Sequence, residues 1–289
     1  MVDFDFARYV QARRGEVGER AHTGASYAFA GERKLRRSFI GARPVTMAIE
    51  ATTRLWNDRA RDELLGSART AAAESPRVWD AAKRAAASLK VATPSVYLAP
   101  ASFPARTAAL GTDDQPYLVV RTDVADALDE RELTAALGHE LGHIQNGHVI
   151  YVTAQHYLTH AAFVFVRWMV QPAMMALKAW ARRAEITCDR AALLASRDLD
   201  ATLRAMVKLE VGPNAGVDVD AYLAAPAAAG PLAKVGELFR ANPLLSKRLA
   251  ALRLFAGGAL YAQVTGGDPT DKPSTTDIDK QVADLLAVF

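Results

Sequence analysis

The sequence predicts an α+β protein that is mostly helical, with a small antiparallel or mixed β-sheet beside one helix. About half of its 289 residues are apolar, which is enough to bury one large core or two smaller ones. Short β-rich runs occur at residues 95–98 and 117–121, between stretches of helical character. A helix predicted between residues 129 and 145 follows the second run, which places it beside the sheet.

Two flanking segments enclose the part of the chain that carries the sheet. Residues 1–75 are predicted to form a basic helical N-terminal segment of two or more helices, with a break at residues 41–44. Residues 261–289 are predicted to be a linker followed by a short C-terminal helix. The N-terminal segment could brace the central domain or cover a cleft in it.

The central domain is predicted to span residues 76–260. Pro76 opens a helix that ends near Lys90, because proline is favoured in the first turn of a helix. Residues 107–110, between the two β-rich runs, are a candidate edge strand.

The helix that follows the sheet has signals at both ends. Asp129 and Glu132 form an acidic version of the capping box at its start, and Asn146 and Gly147 end it. Four apolar residues recur with helical spacing and predict the buried face: Leu133, Leu137, Leu141 and Ile144.

The same helix carries two histidines four residues apart, His139 and His143. One turn of helix separates them, so their imidazoles can bind one metal ion. Glu140 would lie beside the metal, where a carboxylate can take a proton from water, which is the zincin metallopeptidase arrangement. The alternative is that both histidines are ordinary residues of a polar helix face.

A zinc site needs a third protein ligand, and the sequence favours an acidic one. His148 lies five residues past His143, at the wrong angle and where the helix ends. Glu185 is the best candidate ligand, and Asp189, one turn later, would accept a hydrogen bond from a ligand imidazole. The alternative is a solvated acidic helix face. Cys188 falls on another face and is interpreted as a packing residue.

These residues resemble the gluzincin metallopeptidase family that includes HtpX and the CAAX prenyl proteases. The resemblance runs from about residue 76 to 255 and includes the segments 94–98 and 107–111, similar to two family strands. Residues 242–248 resemble a late His-Pro-Pro block followed by arginine, with Asn242 in place of the histidine. Arg248 matches the arginine. Both are candidate substrate or oxyanion contacts, and a solvated helix arginine is the alternative for Arg248.

The resemblance implies a zincin-like fold and a zinc-dependent endopeptidase. His139, His143 and Glu185 would hold Zn²⁺, and Glu140 would act as general base. The strand at 107–110 would pair with an extended peptide or unfolded protein substrate. Departures at residues 107–111 and at Asn242 leave open a metal-binding regulatory protein that does not cleave, and a membrane-associated quality-control protease remains a further alternative.

Charge and hydropathy give expectations about location. Residues 161–170 are strongly apolar, but polar residues interrupt the stretch around them, so burial is favoured over membrane crossing. Residues 1–90 hold 17 Lys plus Arg against 11 Asp plus Glu. The cluster at 33–37 could touch an anionic membrane, or it could be a solvated surface; no nucleic-acid motif accompanies it. Without a secretory signal, and with one cysteine, the expected location is cytoplasmic, with membrane association as an option.

Overall fold

A computed structural model describes residues 25–39, 66, 68–112, 115–153, 167–212, 215–224 and 245–287, with backbone alone at 38–39, 167–174 and 176. The fold is mostly helical with one small mixed sheet, which confirms the predicted class. The predicted break at 41–44 and Asn242 lie outside the described residues.

Eleven helices and four strands are defined within the described part of the chain. The helices are α1 (Ala30–Phe39), α2 (Ala71–Glu74), α3 (Pro76–Leu89), α4 (Thr122–Ala127), α5 (Glu130–Gln145), α6 (Arg167–Ser196), α7 (Leu199–Val211), α8 (Val219–Ala224), α9 (Leu245–Ala256), α10 (Ala259–Thr265) and α11 (Thr275–Leu286). The strands are β1 (Arg69–Thr70), β2 (Ser95–Ala99), β3 (Thr107–Gly111) and β4 (Pro116–Arg121).

The sheet has the strand order β1-β2-β4-β3 and mixes both pairing directions. Strands β2 and β4 are parallel, whereas β1 and β3 pair antiparallel with their neighbours. Strand β3 lies at an edge of this sheet, as predicted for residues 107–110, and it packs against α5. The sheet therefore presents its β3 edge beside the helix that carries the two histidines.

Helix α5 forms where its end signals predict it. The Asp129 side chain accepts hydrogen bonds from the backbone at the start of the helix, and Glu132 bonds back to Asp129 N, which completes the capping box. Gly147, with φ of 63°, supplies the left-handed conformation that ends the helix. The apolar stripe faces the core, with Leu133, Leu137 and Leu141 fully buried.

Helices α5 and α6 pack closely because glycines lie between them. A Cβ atom added at Gly138 would stand 2.4 Å from the Cβ of Ala195, and one added at Gly142 would stand 2.7 Å from that of Ala191. Both distances are too short for real contacts, so only glycine allows this approach. The close packing brings the α6 turns around Glu185 beside the histidines of α5.

Helix α1 carries the basic cluster, and one of its arginines is not solvated. Arg36 is 1% exposed, and its guanidinium donates to the backbone oxygen of Asn146 at 2.6 Å. The interpretation of residues 33–37 as a solvated surface is therefore wrong for Arg36, because the end of α5 needs a donor there. Lys34 and Arg37 are exposed.

The structure describes only part of the apolar stretch that precedes Trp180. Residues 154–166 lie outside the described residues, whereas α6 runs from Arg167 onward. Trp180 is completely buried and donates its indole N–H to Glu32 at 2.8 Å. Within the described ranges, no helix combines the length and the hydrophobicity needed to cross a membrane.

Candidate active site

The imidazoles of His139 and His143 lie one above the other on α5, with ring centroids 5.2 Å apart. Both side chains are largely buried. Burial, and then the nearby charges of His139, His148 and Arg248, lower the pKa of His143 well below its ordinary value. This imidazole is therefore neutral at pH 7, the form that binds a metal.

Glu185 projects from α6 towards both imidazoles. Its Oε2 lies 3.6 Å from Nε2 of His139, and its Oε1 lies 3.8 Å from Nε2 of His143. Donor atoms that share one tetrahedral zinc ion are about 3.4 Å apart, given metal–ligand bonds of about 2.1 Å. The two distances from the carboxylate to the imidazoles are thus close to those between donors of one metal ion, and they are too long for strong direct hydrogen bonds.

Asp189 lies one turn further along α6, behind His139. Its Oδ1 is 3.1 Å from Nδ1 of His139, so the imidazole can donate from Nδ1 and keep Nε2 free. Burial alone would raise the pKa of Asp189, but Arg248 and His139 outweigh it and lower the pKa to about 2. The carboxylate is therefore ionised throughout the neutral range.

Arg248, on α9, holds both acidic residues of α6. Its Nε and Nη2 donate to the two oxygens of Asp189 at 2.8 and 2.6 Å, and its Nη1 is 3.1 Å from Oε2 of Glu185. The side chain is buried, so the alternative of a solvated helix arginine is wrong. Burial would lower the pKa of this guanidinium, whereas Asp189 and Glu185 raise it above its ordinary value.

Glu140 lies on the other side of the histidines, next to strand β3. Its Oε1 accepts a hydrogen bond from the Thr107 hydroxyl at 2.7 Å, and the backbone of Ala109 also bonds to the carboxylate. Burial raises the pKa of Glu140, although His139 and Thr107 oppose this shift. A raised pKa makes a carboxylate a better proton acceptor.

Cys188 belongs to a second set of possible metal donors, together with the two histidines. A sulfur of Cys188 and one nitrogen each of His139 and His143 lie within 4.8 Å of one another. Glu185, by comparison, faces the two Nε2 atoms with one carboxylate oxygen each. Burial raises the pKa of the Cys188 thiol well above its ordinary value.

His148 is fully buried behind the histidine pair. Its Nε2 lies 3.4 Å from Oε1 of Glu32, its Nδ1 lies 3.8 Å from Sγ of Cys188, and its ring packs on Trp180. The sequence excludes His148 as a ligand by its angle on the helix but gives no sign of Glu32. That residue lies more than a hundred positions upstream, outside any motif.

The proposed ligands line a cleft of about 690 Å³ that opens between β3 and the helices. Its apolar lining includes Leu110, Val152 and Trp180, and Met206 and Leu209 of α7. The sequence does not predict this lining, because it is made of residues from separate elements.

Comparisons with known proteins bear on the family of this chain. Residues 72–256 match the model of peptidase family M48. Over 145 residues the chain is 33% identical to an Arabidopsis thaliana protein named plastoglobule-localized metallopeptidase 48, chloroplastic; the match covers 48% of this chain and 42% of that protein. No solved structure matches. The chain belongs to peptidase family M48.

Proposed function

We propose that the protein is a zinc-dependent endopeptidase in which His139, His143 and Glu185 hold the metal. The observation that carries this proposal is the position of the Glu185 carboxylate, 3.6 and 3.8 Å from the two Nε2 atoms. Two imidazoles and one carboxylate are a donor set of catalytic zinc sites, which keep a further position open. Bound zinc supplies Lewis acidity, which polarises a peptide carbonyl and makes water easier to deprotonate.

Glu140 acts as the general base of this reaction. Its carboxylate takes a proton from the attacking water and then passes that proton to the leaving amine. Thr107, by its 2.7 Å hydrogen bond, and the backbone of Ala109 hold the carboxylate in place beside the cleft. The raised pKa of Glu140 makes its carboxylate a better proton acceptor than an exposed one.

Asp189 and Arg248 position the ligands rather than contact the substrate. Asp189 fixes the tautomer of His139, so that Nε2 presents its lone pair to the metal. Arg248 uses its Nε and both terminal nitrogens on Asp189 and Glu185. We therefore propose ligand positioning as its role, in place of the substrate or oxyanion contact expected from the sequence.

The substrate of this reaction is an extended segment of peptide or unfolded protein. Such a segment can add to the edge of a sheet by backbone hydrogen bonds that depend little on sequence. Strand β3 is an edge strand of the described sheet, and Thr107, its first residue, touches Glu140. A peptide paired with β3 would therefore pass the proposed base and the proposed metal ligands.

Substitution of the base tests the proposal most directly. Glu140→Gln should retain one zinc per chain and lose cleavage of unfolded casein by at least about a hundredfold. Zinc content by elemental analysis and casein digestion followed by mass spectrometry measure both quantities. A wild-type protein that binds zinc but leaves casein intact would favour the regulatory alternative, and undiminished cleavage by Glu140→Gln would refute the base assignment.

Peripheral contact with a lipid surface is a second proposal. The Arabidopsis relative is named as plastoglobule-localized, and exposed Lys34 and Arg37 give α1 a basic face. Flotation with vesicles that contain anionic lipid, compared with neutral vesicles, tests it. Recovery of the protein in the lipid fraction only with anionic vesicles supports the proposal, and equal recovery with neutral vesicles or none with either contradicts it.

A further inference from the structure

The two histidines of the candidate metal site are held in different ways. His139 bonds to Asp189 through Nδ1, whereas Nδ1 of His143 is buried and has no hydrogen-bond partner among the described residues. The ring of His143 instead packs against two imidazoles at steep angles, with centroid distances of 5.2 Å to His139 and 5.4 Å to His148. The orientation of His143 therefore depends on ring contacts, and the contact with His148 comes from outside the proposed ligand set.

The ring of His148 is held by two other buried side chains. Its Nε2 lies 3.4 Å from Oε1 of Glu32, and the ring meets that of Trp180 at 5.0 Å with an interplanar angle of 90°. The indole N–H of Trp180 donates to the same Glu32 oxygen at 2.8 Å, so one carboxylate oxygen contacts both rings. Since none of the three side chains is more than 1% exposed, close packing leaves them little room to rotate.

The N-terminal segment also holds the backbone that leads to His148. Arg36 donates from Nη1 to the backbone oxygen of Asn146 at 2.6 Å, and the Asn146 side chain accepts from the backbone of Ala25 at 3.0 Å. Two residues later, the backbone N–H of His148 donates to the backbone oxygen of His143 at 2.9 Å. The N-terminal segment therefore holds both the side chain of His148 and the turn that connects it to His143.

We infer that Glu32 of α1 is a positioning residue for the metal site, which it reaches through His148 and His143. The inference rests on the proposed function, in which His143 binds the metal. Glu32 lies outside the residues 72–256 that match the family, so this support comes from the N-terminal segment. Loss of a group that supports a metal-binding histidine typically weakens metal affinity by about 10 to 100-fold. Because Glu32 acts through a second residue, we expect a loss of about tenfold.

The test compares the zinc affinity of the full-length protein and its variants by competition with a chelator. Glu32→Ala removes the carboxylate that contacts His148 and Trp180, and it should weaken zinc binding by about tenfold. Glu32→Gln keeps the side-chain length and an oxygen that can accept from Trp180, so its zinc affinity should stay within about threefold of wild type. Wild-type affinity in Glu32→Ala overturns the inference. An equal loss in both variants also overturns it, because the effect would then belong to the charge of Glu32 and not to its contacts.

Thr187→Val is the matched control, because it loosens the contact between the N-terminal segment and α6 at another point. Thr187 Oγ1 accepts from the backbone of Phe29 at 3.1 Å, and the side chain is fully buried. Loss of this acceptor should lower the melting temperature, as Glu32→Ala does, but leave zinc affinity within about threefold of wild type. An equal loss of zinc affinity in Thr187→Val and Glu32→Ala would contradict a specific role of Glu32.

Hydrogen exchange gives a second readout, because coupling between two sites is reciprocal. If Glu32 supports His143, zinc bound at the histidines stabilises the contact of α1 with the rest of the protein. Zinc should therefore slow the exchange of the α1 amides in wild type and have a smaller effect in Glu32→Ala. Helix α10, which does not line the cleft, serves as the internal reference. If zinc leaves the exchange of α1 unchanged in wild type, the inference is overturned, even where Glu32→Ala does not fold.

The outcomes separate this inference from the function on which it rests. A wild-type protein that binds no zinc contradicts the proposed metal site, and the inference with it. Zinc binding without cleavage of casein contradicts the endopeptidase proposal alone, because neither zinc affinity nor hydrogen exchange depends on turnover. Cleavage of casein together with equal zinc affinity in wild type and Glu32→Ala contradicts the positioning role alone.

Discussion

At the scale of single residues, the network from Arg248 through Asp189 to His139 connects α9 to the proposed metal site. Arg248 and Asp189 form a two-pronged pair in which both side chains are buried. Such a pair adds little net stability by itself, but removal of one partner leaves the other charge buried without compensation. The orientation of His139 depends on this pair, since Asp189 bonds to its Nδ1.

Arg248→Met should therefore affect both stability and metal binding. We expect the free energy of unfolding to fall by about 3 kcal/mol, because Asp189 loses its charged partner. The affinity for zinc should fall by about 10 to 100-fold, as His139 and Glu185 lose their support. Urea unfolding and competition with a zinc chelator measure the two effects.

Arg253→Met is the matched control for this substitution. Arg253 lies on the same helix, but it is exposed, and its guanidinium donates to the backbone oxygen of Leu223. Its removal should change stability by less than about 0.5 kcal/mol and leave zinc affinity unchanged. Equal effects of the two substitutions would show that Arg248 does not position the ligands.

The sequence predicts some of the candidate site residues better than others, for a physical reason. The spacing of His139 and His143 follows from helix geometry, so one stretch of sequence is enough to pair them. Glu185 and Asp189 need a second helix, and only the residue types and the family resemblance point to them. The contacts of Thr107 and Glu32 depend on tertiary packing, which no local pattern encodes.

At the scale of elements, the contact between α5 and α6 is the one that brings the candidate site together. Histidines from α5 meet the carboxylates of α6 across an interface in which Gly138 and Gly142 leave room for alanines. Because a close-packed interior has little free space for added atoms, this interface fixes the distance between the two helices.

Gly142→Ala should widen that interface. The new methyl group would stand 2.7 Å from the Cβ of Ala191, so α6 has to move away from His143. We expect a loss of about 1 to 3 kcal/mol in stability and weaker zinc binding, measured by thermal unfolding and chelator competition. Gly267→Ala is the control, because its methyl group would meet only ordinary contacts. Zinc affinity equal to wild type in Gly142→Ala would contradict this account.

Helix α1 is held against α6 by the buried carboxylate of Glu32. Burial alone would raise the pKa of Glu32, but His148, Arg36 and Trp180 lower it below its ordinary value of 4.5. A carboxyl group whose pKa is lowered by folding stabilises the fold above its unfolded pKa and loses this effect as the pH falls. The contribution of Glu32 is therefore complete at pH 7 and is lost below about pH 4.5.

Glu32→Gln should make this pH dependence visible. The difference in unfolding free energy between wild type and the variant should be largest at pH 7 and should shrink as the pH falls through 4.5. Urea unfolding at several pH values measures the difference. Glu130→Gln, at an exposed position of α5, shows how much of the effect comes from the change in net charge alone. If the difference in unfolding free energy between wild type and Glu32→Gln grew as the pH falls, the stabilising role of the ionised Glu32 would be contradicted.

The elements that the sequence predicts well are those defined by local signals. The capping box, the apolar stripe and the final glycine mark α5, and the β-rich runs mark β2 and β4. The burial of Arg36 could not be predicted in this way. Its acceptor, the backbone oxygen of Asn146, lies 110 residues along the chain.

At the scale of the whole molecule, segments on both sides of the family match meet at one arginine of α6. Arg190 is buried, donates to the backbone oxygen of Tyr27 and pairs with Asp279 at 2.7 Å. The rings of Phe29 and Phe255 pack against its guanidinium. Residues 27–29 and Asp279 lie outside the matched range of 72–256, yet they stabilise the helix that carries Glu185.

Removal of residues 1–39 should therefore destabilise the protein rather than activate it. None of the described residues 25–39 lines the cleft, and these residues contact α5 and α6 from behind it. We expect a lower melting temperature, by roughly 5 °C or more, and no gain in peptide cleavage. Removal of residues 1–24 alone is the control, because it keeps α1. Faster cleavage by the protein without residues 1–39 would instead support a blocking N-terminal segment.

The hydroxyl of Thr153 has a consequence for solubility. An unpaired strand edge can recruit strands from neighbouring molecules, which is a common route to aggregation. The Thr153 hydroxyl bonds both backbone groups of Gly111 and so closes one end of the β3 edge, which leaves a stretch too short to nucleate a stable intermolecular sheet. The part of the edge that a substrate needs thus stays open, but it is too short for stable pairing with a strand of another copy of the chain.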